Sequence, residues 1–163
     1  MANAQDTDYS KAPDGRIGGT PLSGQHALVT GATRGIGAAI ASTLARLGAD
    51  LTLVGRDASG LKEQAGEISG THGVKAHIEM IDISDEAKVG AGFSSAASAN
   101  GPVSILVNNV GAAKSAPFHK TDRDLWDFML TINLTGTFVC TQAALPAMLK
   151  ASYGRIINVA STA

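Results

Sequence analysis

Cysteine, net charge and long apolar runs are all scarce in this sequence. Its 163 residues include one cysteine, Cys140, so no internal disulfide is possible. This fits a reducing compartment and predicts a cytoplasmic protein. The formal net charge is only −1, and the basic residues are scattered. Because nucleic acids are bound by clustered positive charge, no nucleic-acid partner is predicted. No metal site is predicted either.

The lack of a long apolar run argues against a membrane-spanning segment. No stretch is judged long and apolar enough to span a bilayer, so a membrane protein is not expected. The first twenty residues have no apolar signal region and are predicted to form a flexible polar arm. With 44% hydrophobic residues, the chain has enough apolar material for one packed domain, predicted over residues 21–163.

From residue 26 onward, short apolar runs alternate with longer helical patterns. The predicted strands are His26–Val29, Asp50–Val54, Lys75–Ile81, Ser104–Asn108 and Arg155–Val159. The predicted helices are Ile36–Leu47, Ala58–Ser69, Glu86–Ala99 and Thr121–Lys150. Nearly continuous apolar strands are typical of parallel sheets that are buried on both faces. The sequence therefore predicts an α/β fold: a Rossmann-type, doubly wound parallel sheet with helices on both faces, of which the first five strands are present.

The helices carry two further predictions. Asp57 and Ser84 are expected to cap the second and third helices, since short polar side chains accept hydrogen bonds from free amides there. In the long fourth helix, Gly136 and Pro146 predict a bend or a break. The apolar residues of that helix favour two alternatives equally: it covers only its own sheet, or it also contacts a partner subunit.

The most informative stretch is Thr-Gly-Ala-Thr-Arg-Gly-Ile-Gly at residues 30–37, between the first strand and the first helix. Glycines there allow a sharp turn and let the backbone approach a ligand closely. The free amides at the helix start, together with the helix dipole, then bind a pyrophosphate. A purely structural turn is the alternative. The predicted contact residues are Thr30, Gly31, Thr33, Arg34, Gly35, Ile36 and Gly37.

The end of the second strand predicts which dinucleotide binds. An acidic residue there would bind the ribose 2′-hydroxyl of NAD(H), whereas a cation would accommodate the 2′-phosphate of NADP(H). Gly55 is followed by Arg56, and Arg34 is expected nearby in the glycine-rich turn. Two guanidinium groups could clamp one phosphate. Asp57 could instead accept from the ribose, but it is interpreted as a helix cap. NADP(H) is therefore favoured over NAD(H).

Two further strand ends are predicted to contact the cofactor. Asp82 and Ile83 follow the third strand, and Asp82 could accept from the adenine amino group or simply cap the next turn. Asn109 and Gly111 follow the fourth strand. An asparagine amide can tie neighbouring loops together, and a glycine lets the backbone pass close to the cofactor.

Taken together, these residues resemble the short-chain dehydrogenase/reductase family, in its smaller single-domain branch, over residues 22–163. Residues 30–37 match the TGxxxGxG pattern, and residues 108–111 match NNAG with valine in place of alanine. Asn133 falls where the family keeps an asparagine in the next helix. Residues 155–161 match the strand that ends in the catalytic serine, here Ser161. All four motifs occur in the family's order.

The resemblance implies catalytic roles for two residues. Ser161 would hydrogen-bond to the carbonyl or hydroxyl oxygen of the substrate and help to polarise it. Asn133 would maintain a local helix kink and hold a water that relays protons. Taken alone, the serine would be an ordinary polar strand end and the asparagine a solvated or capping helical residue.

The family's general acid, a tyrosine followed four residues later by a lysine, is not found in this sequence. Tyr153 has no lysine four residues on and precedes the serine strand, and Tyr9 lies in the arm. The chain is therefore expected to be truncated before the Tyr-x-x-x-Lys motif. As it stands, it is expected to be inactive by the family mechanism.

The resemblance implies an oxidoreductase that transfers a hydride between NADP(H) and a secondary alcohol or ketone. The alternative is a non-catalytic nucleotide-binding or regulatory module that has kept the fold. The particular small-molecule substrate is not readable, although Ala112, Ala113 and Phe118 predict an apolar lining for its site. By analogy with the family, a homodimer or homotetramer is expected.

Overall fold

The computed structural model describes residues 19–161, so the predicted arm at residues 1–20 lies almost wholly outside it. The strands are β1 (His26–Thr30), β2 (Asp50–Gly55), β3 (Ala76–Met80), β4 (Ile105–Asn108) and β5 (Arg155–Asn158). They form one parallel sheet in the order β3-β2-β1-β4-β5. The strand order reverses at β1, and ligands of such sheets bind at the carboxyl ends of the strands beside that reversal.

Helices cover both faces of the sheet. Their bounds are α1 (Gly35–Arg46), α2 (Ala58–His72), α3 (Glu86–Asn100), α4 (Arg123–Leu130) and α5 (Gly136–Ala151). A short 3₁₀ turn spans Phe118–Lys120, and a π-helical turn, Thr131–Thr135, joins α4 to α5. Helices α1 and α2 pack on one face, and α3 and α5 pack on the other. The predicted doubly wound α/β fold is confirmed.

Two separate cores follow from the alternation of side chains along each strand. On the α1–α2 face, Val29 and Leu53 pack with Leu61 of α2. On the α3–α5 face, Leu28 and Leu106 pack with helix residues that include Val89, Phe93 and Val139. Because β1, β2 and β4 contribute to both cores, they are buried at nearly every position rather than at every second one.

One of the two predicted helix caps is confirmed and the other is wrong. The Asp57 side chain accepts a hydrogen bond from the Ser59 amide and caps α2. Helix α3 is capped by Asp85, which accepts from the Lys88 amide, and not by Ser84. Ser84 belongs to the preceding turn, where both its amide and its hydroxyl donate to Asp82.

The long fourth helix is continuous, but its hydrogen-bond pattern changes in the middle. The π-helical turn ends immediately before Gly136, close to one of the two positions where a bend was predicted. Pro146 lies inside α5 without ending it. Rather than breaking, the helix takes up one extra residue in a wider turn, a device common at functional sites.

The sequence analysis found no stretch long and apolar enough to span a bilayer, and this is wrong because α4, the π-helical turn and α5 form one continuous helix. The joined helix, Arg123–Ala151, has 29 residues and is long and apolar enough by length and composition to cross a membrane. The sequence conceals this because polar residues and glycine interrupt the apolar positions. In this fold, the α5 part packs against α3 and β4, with Val139, Ala144 and Met148 buried. Part of the apolar character of α5 thus serves the core of the domain, while Phe138, Leu145 and Leu149 are exposed.

Strand β5 differs from the other strands in its surroundings. It pairs with β4 in parallel register, Ile105 opposite Arg155 through Asn108 opposite Asn158. All four of its residues are nevertheless exposed, whereas all four residues of β4 are buried. The catalytic serine predicted from the family motif, Ser161, follows this exposed strand.

Candidate active site

A cleft of ≈ 540 Å³ opens at the carboxyl edge of the sheet, where the sheet topology predicts a ligand. It is lined by Gly31, Thr33, Arg34, Gly55, Arg56, Asp57, Ile81, Asp82, Ile83, Asn109, Val110, Gly111, Ala112, Phe128 and Ile132. Residues that follow four different strands therefore meet at one place. Most of the predicted cofactor contacts lie among them.

The glycine-rich turn has the backbone geometry that only glycine adopts easily. Gly31 and Gly35 both have positive φ angles, +68° and +59°. Gly37, in the first turn of α1, lies directly against the Gly31 carbonyl, where a Cβ atom would overlap it. Ile36 projects outward and is exposed. The turn is thus held close to the helix start, where free amides and the helix dipole favour an anion.

Asn109 and Thr30 fasten the end of β4 to the glycine-rich turn. The Asn109 side-chain amide donates to the carbonyls of Thr30 and Gly31, at 3.0 and 3.3 Å. In return, the Thr30 hydroxyl accepts from the backbone amides of Asn109 and Val110. It also donates to the Val107 carbonyl. These bonds hold the ends of β1 and β4 together, as predicted for the side-chain amide of Asn109.

The end of β2 forms the part of the cleft where an adenosine ribose is expected. A Cβ atom on Gly55 would lie 3.2 Å from Thr33 Cγ2, so this strand end and the glycine-rich turn are in contact. Arg56 points across the cleft, and its Nη1 lies 3.6 Å from Asp82 Oδ2. Arg34 lines the same cleft and interacts electrostatically with Asp57.

Both aspartates of the cleft are held ionised by their own neighbours. The Ser59 hydroxyl, which donates to Asp57 Oδ1 at 2.7 Å, lowers the pKa of the Asp57 carboxyl. The Ser84 amide and hydroxyl lower the pKa of Asp82, and Arg56 adds to this effect. Hydrogen bonds to the charged form are the main cause in each case. Asp82 therefore caps its own turn, one of the two roles left open by the sequence, and also faces a guanidinium group.

Asn133 lies in the middle of the π-helical turn and binds the loop that follows β4. Its Oδ1 accepts from the Ala112 amide, and its Nδ2 donates to the Ala112 carbonyl, both at 3.0 Å. Nδ2 also donates to the Met129 carbonyl within the helix. Gly111 passes so close that a Cβ atom there would lie 3.1 Å from Asn133 Oδ1. The asparagine thus fixes the loop between cofactor cleft and helix.

A hydrogen bond between two asparagines, Asn108 and Asn158, aligns the strand that leads to Ser161. Asn108 Nδ2 donates to Asn158 Oδ1 at 2.9 Å, at the last register pair of β4 and β5. The same Asn108 Nδ2 lies 3.3 Å from Thr141 Oγ1 of α5. Asn108 Oδ1 is buried and has no hydrogen-bond partner among residues 19–161. Ser161 follows three residues later at the same carboxyl edge of the sheet; neither it nor Asn133 lines the cleft itself.

Several lining residues were not predicted as cofactor contacts from the sequence. Val110, Ile81, Phe128 and Ile132 give the cleft apolar walls. Ile81 could have been found from its position at the end of the third predicted strand. Phe128 and Ile132 could not, because they are helical residues whose place depends on the loop before α4. Of the three residues predicted to line the substrate site, Ala112 lines this cleft, whereas Ala113 and Phe118 lie outside it and Phe118 is 93% exposed.

Within the described part of the chain, no group of three or more His, Cys, Asp or Glu side chains could hold a metal ion. The cleft instead offers glycine backbone, two guanidinium groups and the side chain of Asn109. A glycine-rich turn between β1 and α1, at the reversal of a parallel sheet, defines a nucleotide-binding protein of the doubly wound α/β class.

Comparison with known proteins identifies the family within that class. The sequence profile of the short chain dehydrogenase family matches residues 25–163. This chain belongs to that family, whose named relatives are dehydrogenases and reductases.

Three relatives illustrate the match. The 3-oxoacyl-(acyl-carrier-protein) reductase FabG of Aquifex aeolicus is 39% identical over 140 residues, which are 86% of this chain and 56% of the relative. The D-threitol dehydrogenase of Mycolicibacterium smegmatis is 42% identical over 87% of this chain and 54% of the relative. A metagenomic short-chain oxidoreductase, solved in complex with NADP, is 39% identical and superposes with a TM-score of 0.82. The match covers 87% of this chain and 64% of that structure. The chain spans about half the length of the curated relatives that it matches.

Proposed function

We propose that this chain is the cofactor-binding part of an oxidoreductase that transfers a hydride between NADP(H) and a secondary alcohol or ketone. The observation that carries the proposal is the cleft at the β1–β4 reversal, where the glycine-rich turn, Arg34 and Arg56 meet. When bound, the nicotinamide coenzyme supplies or accepts the hydride.

The residues of the cleft suit a dinucleotide phosphate. A side chain on Gly37 would overlap the Gly31 carbonyl, so glycine there lets the turn lie close against the start of α1, where free amides favour an anion. Arg34 and Arg56 place two cations where the 2′-phosphate is expected. The NADP bound by the metagenomic relative supports the same cofactor here. Asp82, Ile83, Asn109 and Gly111 complete the proposed contacts along the cleft.

Ser161 and Asn133 are the proposed catalytic contributors within this chain. Ser161 hydrogen-bonds to the substrate oxygen and stabilises the charge that develops on it. Asn133 holds the loop at Ala112 by two hydrogen bonds and takes part in a proton relay. A Tyr-x-x-x-Lys pair, which residues 1–163 do not contain, is required as general acid and its partner. We therefore expect turnover only from a longer chain.

The substrate is proposed only as a small carbonyl or alcohol compound. Two of the relatives are named for a 3-oxoacyl-(acyl-carrier-protein) and for D-threitol, which differ widely in size. Within this chain, Ala112 and Phe128 give the proposed site an apolar wall.

We also propose that the protein is a cytoplasmic homodimer or homotetramer that uses the outer face of the long helix. Leu134, Phe138, Leu145 and Leu149 follow one another at spacings of four or seven residues, and all are exposed. A stripe of this kind is typical of an interface. Light scattering should show a dimer or tetramer, and Leu149→Lys should reduce its mass to that of a monomer.

The proposed activity is tested with the longest natural chain that contains these residues. NADPH consumption is measured with a panel of small ketones, together with NADPH binding by fluorescence. Ser161→Ala should lower turnover by a factor on the order of 10²–10³, typical of losing one oxyanion donor, with NADPH binding retained. The control is Ser98→Ala, which changes an exposed serine of α3. NADPH binding without any turnover would favour the non-catalytic nucleotide-binding module instead.

A further inference from the structure

The cleft is unevenly charged along its length. Its charged lining residues all belong to the glycine-rich turn or to the ends of β2 and β3: Arg34, Arg56, Asp57 and Asp82. The lining residues that come from the loop after β4 and from the long helix carry no charge. A charge at that end of the cleft therefore has to come from a side chain that borders the lining.

Lys114 is a side chain of this kind, because it lies against an aromatic wall of the cleft. It follows Ala112 by two residues in the loop after β4, and both Ala112 and Phe128 line the cleft. The Lys114 Nζ lies 4.5 Å from the centre of the Phe128 ring. An ammonium group at this distance is attracted by the face of the ring. The cation is thereby held beside the cleft.

The loop that carries Lys114 is tied to the long helix at two points. Asn133 accepts from the Ala112 amide and donates to the Ala112 carbonyl, both at 3.0 Å. The contact of Lys114 with Phe128 is the second tie, and it lies five residues earlier on the same helix. The position of the ammonium group relative to the apolar wall is therefore set by the packing of the loop on the helix.

The ring orients the ammonium group without neutralising it. A lysine has three N–H donors, and the face of a ring carries no opposing charge. Among residues 19–161, no carboxylate forms an ion pair with Lys114, whereas Arg123 of α4 is paired with Asp127 at 2.7 Å. Lys114 is also exposed. Its full charge is thus open to an anion that enters this end of the cleft.

The strand order places this cation on the side of the proposed catalytic serine. The sheet runs β3-β2-β1-β4-β5, so the loop after β4 is next to the end of β5, which Ser161 follows. Arg56, proposed for the 2′-phosphate, follows β2 on the other side of β1. An anion at Lys114 is therefore expected to belong to the substrate and not to the adenosine end of the cofactor.

We propose that Lys114 is a specificity-determining residue that selects small carbonyl substrates with a carboxylate group, the oxo acids, over neutral ketones. This proposal rests on the proposed function and names its substrate class. The apolar part of the substrate packs against Phe128 and Ala112, and the Lys114 ammonium donates to the carboxylate. Charge-assisted hydrogen bonds of this kind are stronger than neutral ones.

The test compares substrates that share a carbonyl chain and differ in charge: a short series of straight-chain oxo acids, each with its methyl ester. The ratio of kcat/KM for acid and ester is measured with NADPH on the longest natural chain that contains these residues. The unmodified protein should favour the acid in at least one pair. Lys114→Met should lower that preference about tenfold, mainly through the KM of the acid, as losing one charge-assisted contact implies. Lys114→Arg keeps a cation over the ring and should retain the preference.

Lys120→Met is the matched control, because Lys120 is an exposed lysine at the 3₁₀ turn of the same loop. It should leave the ratio unchanged, and added salt should reduce the preference in the unmodified protein.

Three results would overturn the inference while leaving the proposed function intact. These are an ester favoured in every pair, an unchanged ratio in Lys114→Met, and an equal fall in Lys120→Met. Equal weakening of NADPH binding and of acid turnover by Lys114→Met would also overturn it, because the lysine would then act on the cofactor. If neither acids nor esters are turned over, the proposed function and this inference both fail.

Discussion

The strands at the middle of the sheet and the strand at its β5 edge have very different surroundings. Every residue of β1 and β4 is buried, because helices of this chain cover both faces there. Every residue of β5 is exposed, although its register with β4 is complete. The glycine-rich turn belongs to the enclosed region, and Ser161 follows the exposed strand. The proposed nucleotide site thus lies among elements that are packed on both faces, while the proposed catalytic serine follows a strand whose residues are exposed.

The largest expected effect tests this contrast directly in the 163-residue chain. Leu106 of β4 and Ile156 of β5 are register partners, fully buried and 38% exposed respectively. Leu106→Ala should lower the free energy of unfolding by about 2–5 kcal/mol, because it leaves a cavity in the core. Ile156→Ala should cost roughly 1 kcal/mol or less, since much of its side chain already contacts water. Urea denaturation measures both; equal losses would mean that β5 is covered in solution.

The next prediction concerns the enclosed nucleotide site. Gly37→Ala should lower stability by about 1–3 kcal/mol, the usual cost of overpacking, and should weaken NADPH binding, because the new Cβ overlaps the Gly31 carbonyl. The control is Gly66→Ala in α2, where nothing lies within 4 Å of the added atom. That change should be neutral or stabilising, by up to about 1 kcal/mol, and should leave binding unaltered. Normal NADPH binding by Gly37→Ala would argue against the proposed pyrophosphate site.

A smaller effect is expected at the adenosine end of the cleft. Arg56→Asp should shift the ratio of NADPH to NADH dissociation constants toward NADH by about tenfold, as losing one charge-assisted contact implies. Lys62→Asp on the exposed side of α2 makes the same change of charge and should leave the ratio unaltered. A ratio that responds equally to both variants would indicate only a long-range effect of net charge.

The smallest predicted effect is a pH dependence that arises in the enclosed region. His26 is buried; its Nδ1 donates to the Gly101 carbonyl at 2.7 Å, which leaves Nε2 to accept from the Thr52 hydroxyl at 2.8 Å. Burial lowers the pKa of His26 below its ordinary value of 6.5, and the hydrogen bond to the Gly101 carbonyl and the nearby Asp50 offset this only in part. The folded protein therefore binds fewer protons at His26 than the unfolded chain does.

The sign of the pH effect follows from this difference. His26 should reduce stability as the pH falls below 6.5, by at most about 1.4 kcal/mol for each unit by which its pKa is lowered. His26→Gln should flatten the dependence of unfolding free energy on pH between 5 and 7, whatever its overall stability. An unaltered slope in His26→Gln would exclude His26 as the source.

Most of the fold could be predicted from the sequence because its signals are local. Apolar runs placed the strands to within one or two residues, and the cap at Asp57 follows from its position before a helical pattern. The cap at Ser84 was wrong because two neighbouring aspartates compete for the same stretch of backbone. Local propensity cannot decide that Asp82 binds Ser84 while Asp85 caps the helix.

The candidate site was predictable where a strand end determines position and less so where packing does. The glycine-rich turn, Arg56 and Asn109 follow strands directly, and the structure brings them into one cleft. The ion pair of Arg56 with Asp82 joins residues that are distant in sequence, so only the sheet topology reveals it. The same holds for Asn133, whose two bonds to Ala112 need the π-helical turn.

The π-helical turn also makes the long helix sensitive to its residue count. Each residue added to or removed from an α-helix rotates everything beyond it by about 100°. Deleting one residue between Thr131 and Thr135 would remove the extra residue that the wider turn takes up, so the helix would become regular while the buried side of α5, which includes Val139 and Met148, still faced the sheet. The same deletion within the regular part of α5 would turn that side away. The long helix is therefore expected to tolerate the loss of a residue only at the π-helical turn, where the change would disturb the two hydrogen bonds between Asn133 and Ala112.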